Sequence, residues 1–111
     1  MIKMKNRNGI HTSFDIIVLK YYYVIMPELS RFLGITILMY FEDHNPPHFH
    51  VRYNDFRAII SISDLLLTEG ELPPRILGLV IEWAGLHKNE LLENWNMVRE
   101  TGKWFKIEPL V

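Results

Sequence analysis

The clearest hydrophobic pattern in the chain runs from residue 48 to residue 62. In HFHVRY, residues 48–53, Phe49, Val51 and Tyr53 share one face of a strand, and His48, His50 and Arg52 share the other. Asn54-Asp55 suits a two-residue hairpin turn, because both residues tolerate positive φ. FRAIISI, residues 56–62, then reads as the return strand. This turn pairs Tyr53 with Phe56, Arg52 with Arg57, Val51 with Ala58, His50 with Ile59 and His48 with Ser61. One face of the hairpin is then apolar, while the other carries His48, His50, Arg52, Arg57 and Ser61 around Ile59. Upstream, LGITILMYF at residues 33–41 is apolar on both faces, as expected of an interior strand. Residues 42–47 join the two as a loop, in which Pro46-Pro47 has no N–H to offer a ladder.

Beyond the hairpin the period changes. Residues 65–72 are irregular, with Gly70 as a break. Pro73-Pro74 then opens a helix, since proline fits the first helical turn. Leu77, Val80, Ile81, Ala84, Leu91, Trp95 and Val98 follow helical spacing toward Gly102, which suits a helix stop. Residues 85–89 kink this helix or split it. Residues 103–107 read as a short final strand. The expected fold is α+β, a small antiparallel sheet of three to four strands with one face covered by a long C-terminal helix. Trp95 falls on the apolar stripe and belongs in the core. Trp83 falls about one position off it, at the helix edge or against a partner. His87 reads as a helix-edge residue. Glu82, Glu90, Glu93 and Glu100, interspersed with Arg75, Lys88 and Arg99, read as a solvated helix face.

At 111 residues with 49% hydrophobic, the chain supports one packed domain and scarcely two. Cysteine is absent, which removes disulfides and thiolate chemistry and fits a reducing, cytoplasmic setting. The formal charge of −1 divides unevenly. Residues 1–25 carry four Lys/Arg against Asp15, and residues 26–111 carry eight Lys/Arg against twelve Asp/Glu. A mildly acidic body argues against general binding of phosphate backbones and leaves room only for a local basic patch. FDIIVLKYYYVIM, residues 14–26, is apolar but contains Asp15 and Lys20, and is too short to cross a membrane. Met26-Pro27-Glu28 looks like a fresh start. Residues 1–25 are therefore read as an extension, a start-site artefact or a peripheral strand, outside a single α+β domain at 26–111.

From Met26 onward the chain resembles the small bacterial family called domain of unknown function 4160. The stretches that carry the resemblance are MPELSRFLGITILMY, FEDHNPPHFHVRY, FRAIISI, LPPRILGLVIEWAGLHKNELLENW and KIEPL, which span nearly all of residues 26–110. The resemblance implies membership of a two-gene, toxin–antitoxin-like module, with a cognate small protein as partner. It transfers no catalytic residue.

Three of the five histidines lie within DHNPPHFH, residues 43–50. One reading makes the polar hairpin face a contact surface for RNA or another phosphate-bearing target. Arg52 and Arg57 would hold phosphate oxygens, with Tyr40 stacking a base and His44 alongside. His48 and His50 would then serve as general acid and base for strand scission without a metal or other cofactor. A second reading is a non-catalytic module that binds its cognate protein. A third is a metal or small-ligand site using His44, His48 and His50, with Asp43 as the other loop donor in reach. Against the third, a closed tetrahedral site needs four protein ligands, and the cation of Arg52 opposes a metal. The bland reading is a solvated sheet face whose loop is capped by Asp and Asn and stiffened by prolines.

Because every apolar pattern that defines the core lies after Met26, deleting residues 1–25 is expected to leave the fold and the melting temperature unchanged. Circular dichroism and thermal unfolding of the shortened chain check this. An aggregated or unfolded product would make those residues structural.

Overall fold

The computed structural model describes residues 27–41 and 43–111. The proposed extension and the Met26 start lie outside the described residues. Five strands, β1 Glu28–Phe32, β2 Ile35–Leu38, β3 His48–Tyr53, β4 Phe56–Ser61 and β5 Leu67–Gly70, precede two helices, α1 Pro74–Leu86 and α2 Lys88–Thr101. The strands form one antiparallel sheet in the order β1-β2-β3-β4-β5. The fold is α+β, and the sheet has five strands among the described residues instead of three to four.

The β3–β4 hairpin adopts the register that its turn demands, with His48 opposite Ser61, His50 opposite Ile59 and Arg52 opposite Arg57. Asn54 takes the left-handed conformation, at φ 51°. Phe49, Val51, Ala58 and Ile60 are consequently buried together with Ile35, Ile37 and Met39.

The two strands not expected are short edge strands. β1 is tied to β2 by a turn at Leu33 and Gly34, both with positive φ (52° and 80°), the backbone that a two-residue hairpin turn requires. The stretch 33–41 is therefore a turn followed by a four-residue strand. A bulge near Leu29 breaks the alternation of β1, so that Leu29 and Ser30 are both buried. β5 is the outer partner of β4 and mostly solvent-facing, which hides it from a hydrophobic pattern. Gly70 ends β5 at φ 80°. A Cβ there would lie 2.0 Å from the Arg57 carbonyl oxygen, so only glycine lets the two backbones meet.

The expected long helix is divided at His87. Pro73 and Pro74 begin α1, and Gly102 ends α2 in the left-handed conformation, its N–H donating to Val98 O. The buried positions of α1 are Ile76, Val80, Trp83 and Ala84. That stripe is rotated from the expected one, and Leu77 and Ile81 are only half-buried. Trp83 is thus a fully buried core residue. It packs on Phe32 and Phe49 at ring separations of 5.6 and 6.1 Å, and its indole N–H donates to Glu108 O at 2.8 Å. Trp95 in α2 is buried as expected.

Residues 103–107 form no strand. They run as a tail held chiefly by a helix side chain, with one backbone bond to β1. Asn94, fully buried in α2, donates to Phe105 O at 3.1 Å and accepts from Phe105 N–H at 2.9 Å. Ile107 N–H donates to Leu29 O at 2.8 Å.

Trp95→Ala should cost about 3–5 kcal/mol, the usual consequence of truncating a buried indole. Urea unfolding followed by circular dichroism measures it. A loss under about 1 kcal/mol would be incompatible with a core position.

Candidate functional site

The residues that the sequence singles out lie at one end and across one face of the sheet. β3 puts His48, His50 and Arg52 on the side opposite Phe49 and Val51. β2 sets Leu38 opposite His50 and Thr36 opposite Arg52. The loop before β3 folds back over the start of that strand. It is anchored there by Arg99 of α2, whose Nη1 donates to Asn45 Oδ1 at 3.2 Å. The Arg99 guanidinium also lies 5.3 Å from the Trp95 ring centre. The Asn45–Pro46 peptide is cis.

This return brings Asp43 onto both strand histidines. One carboxylate oxygen, Asp43 Oδ2, accepts from His50 Nε2–H at 2.8 Å and lies 3.1 Å from His48 Nε2. The other nitrogen of His48, Nδ1, donates to Pro46 O at 2.8 Å. Neither ring stands free in solvent, as the side chains of His48 and His50 are 14% and 16% exposed. Tyr40 stacks on His50 with ring centres 4.0 Å apart and planes 6° from parallel. His48 tilts against Trp95 at 5.0 Å. The bland reading of a solvated sheet face therefore does not describe these two residues.

Burial is the main influence on His50 and lowers its pKa below the ordinary imidazole value. The hydrogen bond that His50 donates to Asp43 and the negative charge of that carboxylate oppose this, His48 adds to the lowering, and the charge of Glu69 opposes it weakly.

Beside this cluster, on the same face, lies a cleft of about 250 Å³. Its apolar floor is made by Leu38 and Ile59, which share the face of His50, with Val51 and Ala58 behind them facing the core, and its rim holds Tyr40, His50, Arg52, Arg57 and Glu69. Gly70 closes one side by allowing β5 to press on β4. Arg57 Nη1 donates to the Asn54 and Phe56 carbonyls, at 3.1 and 2.9 Å. Among the described residues, neither Arg52 nor Arg57 has a carboxylate partner.

Of the candidate residues, the structure gathers Tyr40, His50, Arg52 and Arg57 around the cleft. His48 belongs to the Asp43 cluster and does not line the cleft. His44 is exposed and joins neither group. Asp43 is the loop donor that meets the strand histidines, although His44 beside it is equally plausible from the sequence. Glu69 and Arg99 are the residues that sequence reasoning missed. The only local signal for Glu69 is its position one residue before Gly70. Nothing local announces Arg99, which acts on a loop 54 residues away.

In Asp43→Asn the two contributions by which Asp43 raises the His50 pKa, a carboxylate hydrogen bond and a negative charge, are weakened or removed. Its titration should move to lower pH than in the wild type, followed by proton NMR of the imidazole ring. A shift to higher pH would mean that Asp43 is not its partner.

No helix among the described residues is long and apolar enough to cross a membrane. No curated protein and no solved structure matches the chain. A family model does match, over residues 34–96, from Gly34 in the β1–β2 turn through Asn96 in α2, a narrower span than the resemblance at 26–110 but more than half of the chain. That span contains the whole Asp43–His50 cluster and the whole cleft, and its description is Domain of unknown function (DUF4160): the chain belongs to the domain of unknown function 4160 family.

Proposed function

We propose that the cleft on the open face of the sheet binds a phosphate-bearing ligand, with a nucleotide unit of single-stranded RNA as the intended occupant. The observation that carries this reading is the pair Arg52 and Arg57, directly opposed across β3 and β4 without a carboxylate partner among the described residues, at the rim of an apolar-floored cleft. Opposed like charges repel, and an anion between them removes the repulsion. Guanidinium suits phosphate because its N–H groups match the geometry of two oxygens. The apolar floor and the Tyr40 edge suit the face of a base. Glu69 offers an acceptor for an exocyclic amine. The cleft is small, in keeping with one nucleotide and with an acidic body that would repel a longer backbone elsewhere.

The reading is one of binding. Scission without a metal needs a base and an acid at the same ligand, and only His50 of the two histidines lines the cleft. Within a two-gene module, the chain would act as the toxin-like member by sequestering RNA, and its cognate small protein would cover the cleft.

Fluorescence anisotropy with a short labelled single-stranded RNA tests this. Arg52→Ala and Arg57→Ala should each weaken binding about tenfold or more, because a hydrogen bond to a charged group contributes roughly 1.5–3 kcal/mol. The double variant should reduce the slope of log K against log salt by about 0.7, the contribution of the one single-strand phosphate held between the two arginines. Equal affinity of wild type and double variant would sink the reading. Growth arrest on expression, lost in the same double variant, is the expected cellular counterpart.

A further inference from the structure

The Asp43–His48–His50 cluster has a geometric problem that phosphate binding does not explain. The Pro46 carbonyl can only accept, so the proton of a neutral His48 sits on Nδ1. Its Nε2 then presents a lone pair to Asp43 Oδ2, itself a lone-pair donor, at 3.1 Å. His50 Nε2 points at the same oxygen from 2.8 Å. With His48 neutral, the only proton among the two Nε2 atoms and Asp43 Oδ2 is that of His50, and His48 Nε2 faces the carboxylate without one; either a proton on His48 or a bound cation removes the mismatch. A cation among them satisfies all three, in place of the His50 Nε2 proton, which moves to Nδ1 so that the ligating ring stays neutral.

We propose that Asp43 Oδ2, His48 Nε2 and His50 Nε2 are the protein ligands of a divalent first-row transition-metal ion. The three donor atoms lie within 4.8 Å of one another. Around a tetrahedral ion with bonds of 2.0–2.1 Å, ligand atoms stand about 3.3 Å apart, so the two Asp43 separations need to open by only ~0.2–0.5 Å. Asp43 sits on the loop, which is the part best able to move by that amount.

Imidazole nitrogen and carboxylate oxygen, without sulfur, suit zinc, iron, manganese, cobalt or nickel. Three protein ligands are the number that leaves a position open for water or a ligand atom, whereas structural sites close all four. The missing fourth ligand, an objection to a structural zinc site, is therefore a property of an open one.

The surroundings behave as an outer shell. Pro46 O fixes the tautomer that leaves His48 Nε2 free to ligate, the role usually taken by a backbone carbonyl or carboxylate behind a metal-bound histidine. Tyr40 stacks on His50 and Trp95 packs on His48, so neither ring must be ordered on binding. Arg99 ties the loop to α2 through Asn45. Arg52, two residues beyond His50 on the same face, adds an unfavourable charge, which Asp43 and Glu69 offset.

The inference goes beyond the phosphate reading and does not rest on it. His50 belongs to both the cluster and the cleft, so an ion bound here would add positive charge beside Arg52 and Arg57.

The test uses the full chain, stripped with a chelator and titrated with zinc chloride by calorimetry in the absence of RNA. Cobalt(II) is added in parallel and its visible absorption recorded. One ion per chain is expected, with cobalt absorption of low-symmetry nitrogen and oxygen coordination. Asp43→Asn and His50→Gln should each weaken binding by at least the 10–100-fold seen on losing an outer-shell partner, with circular dichroism unchanged. His44→Gln should bind as the wild type does. Three results would overturn the site: no stoichiometric uptake by the wild type, uptake unaltered in both Asp43→Asn and His50→Gln, or uptake lost in His44→Gln and kept in Asp43→Asn. Because RNA is absent, metal uptake and RNA affinity fail or succeed separately.

Discussion

The register of the β3–β4 hairpin decides what chemistry this protein presents. A two-residue turn at Asn54–Asp55 sets Phe49 against Ile60 and Val51 against Ala58. Those four side chains are buried, and burying them leaves His48, His50, Arg52 and Arg57 no place but the other face. A slip of one residue would exchange the faces entirely, at the cost of exposing the core. The polar constellation is thus fixed by hydrophobic energy spent on its back. Apolar burial contributes roughly 25 cal/mol per Å², far more than any contact the histidines make among themselves.

On this fixed strand the loop before β3 adds what the strand lacks. Strand geometry alone offers two imidazoles spaced along one face, with nothing to orient their rings. The loop supplies a carbonyl for one nitrogen of His48 and a carboxylate oxygen for the Nε2 atoms of both rings. Tyr40 and Trp95 close the sides. The cluster therefore depends on three separate parts of the chain meeting, namely the end of β2, the loop itself and the last turns of α2. Its neighbour, the cleft, depends on a different meeting, of β2 through β5, in which Gly70 permits the closest approach.

How much of this was legible in the sequence follows from how each element is held. The β3–β4 pairing, the helix start at Pro73-Pro74 and the stop at Gly102 were readable because local chemistry determines them. Trp95 was readable because its helix follows the period. Trp83 was misplaced because Leu77 and Ile81 are hydrophobic yet only half-buried, which turned the inferred stripe away from its centre. β1 was hidden by a bulge that buries two successive residues, and β5 by its exposure. The tail at 103–107 looked like a strand, but its bonds go chiefly to side chains of helices. For the candidate site, the sequence named the histidines and arginines and left Asp43 and His44 as equal options. Only the path of the loop separates them, and that path is set in part by Arg99, far along the chain.

The tail carries a consequence of its own. Asn94 meets Phe105 as a neighbouring strand would, with one acceptor for its N–H and one donor for its carbonyl. A side-chain amide thus completes the backbone pairing of a segment that lies mostly on the surface. Trp83 depends on the same segment for the acceptor of its indole N–H. Shortening the protein before Phe105 would strip away the buried Ile107 with its mostly exposed neighbours, and would leave the Asn94 Oδ1 and the Trp83 indole N–H without partners. Each such orphan costs roughly 1–3 kcal/mol. Damage at the C-terminus would therefore register in the middle of the molecule, as a defect of its interior.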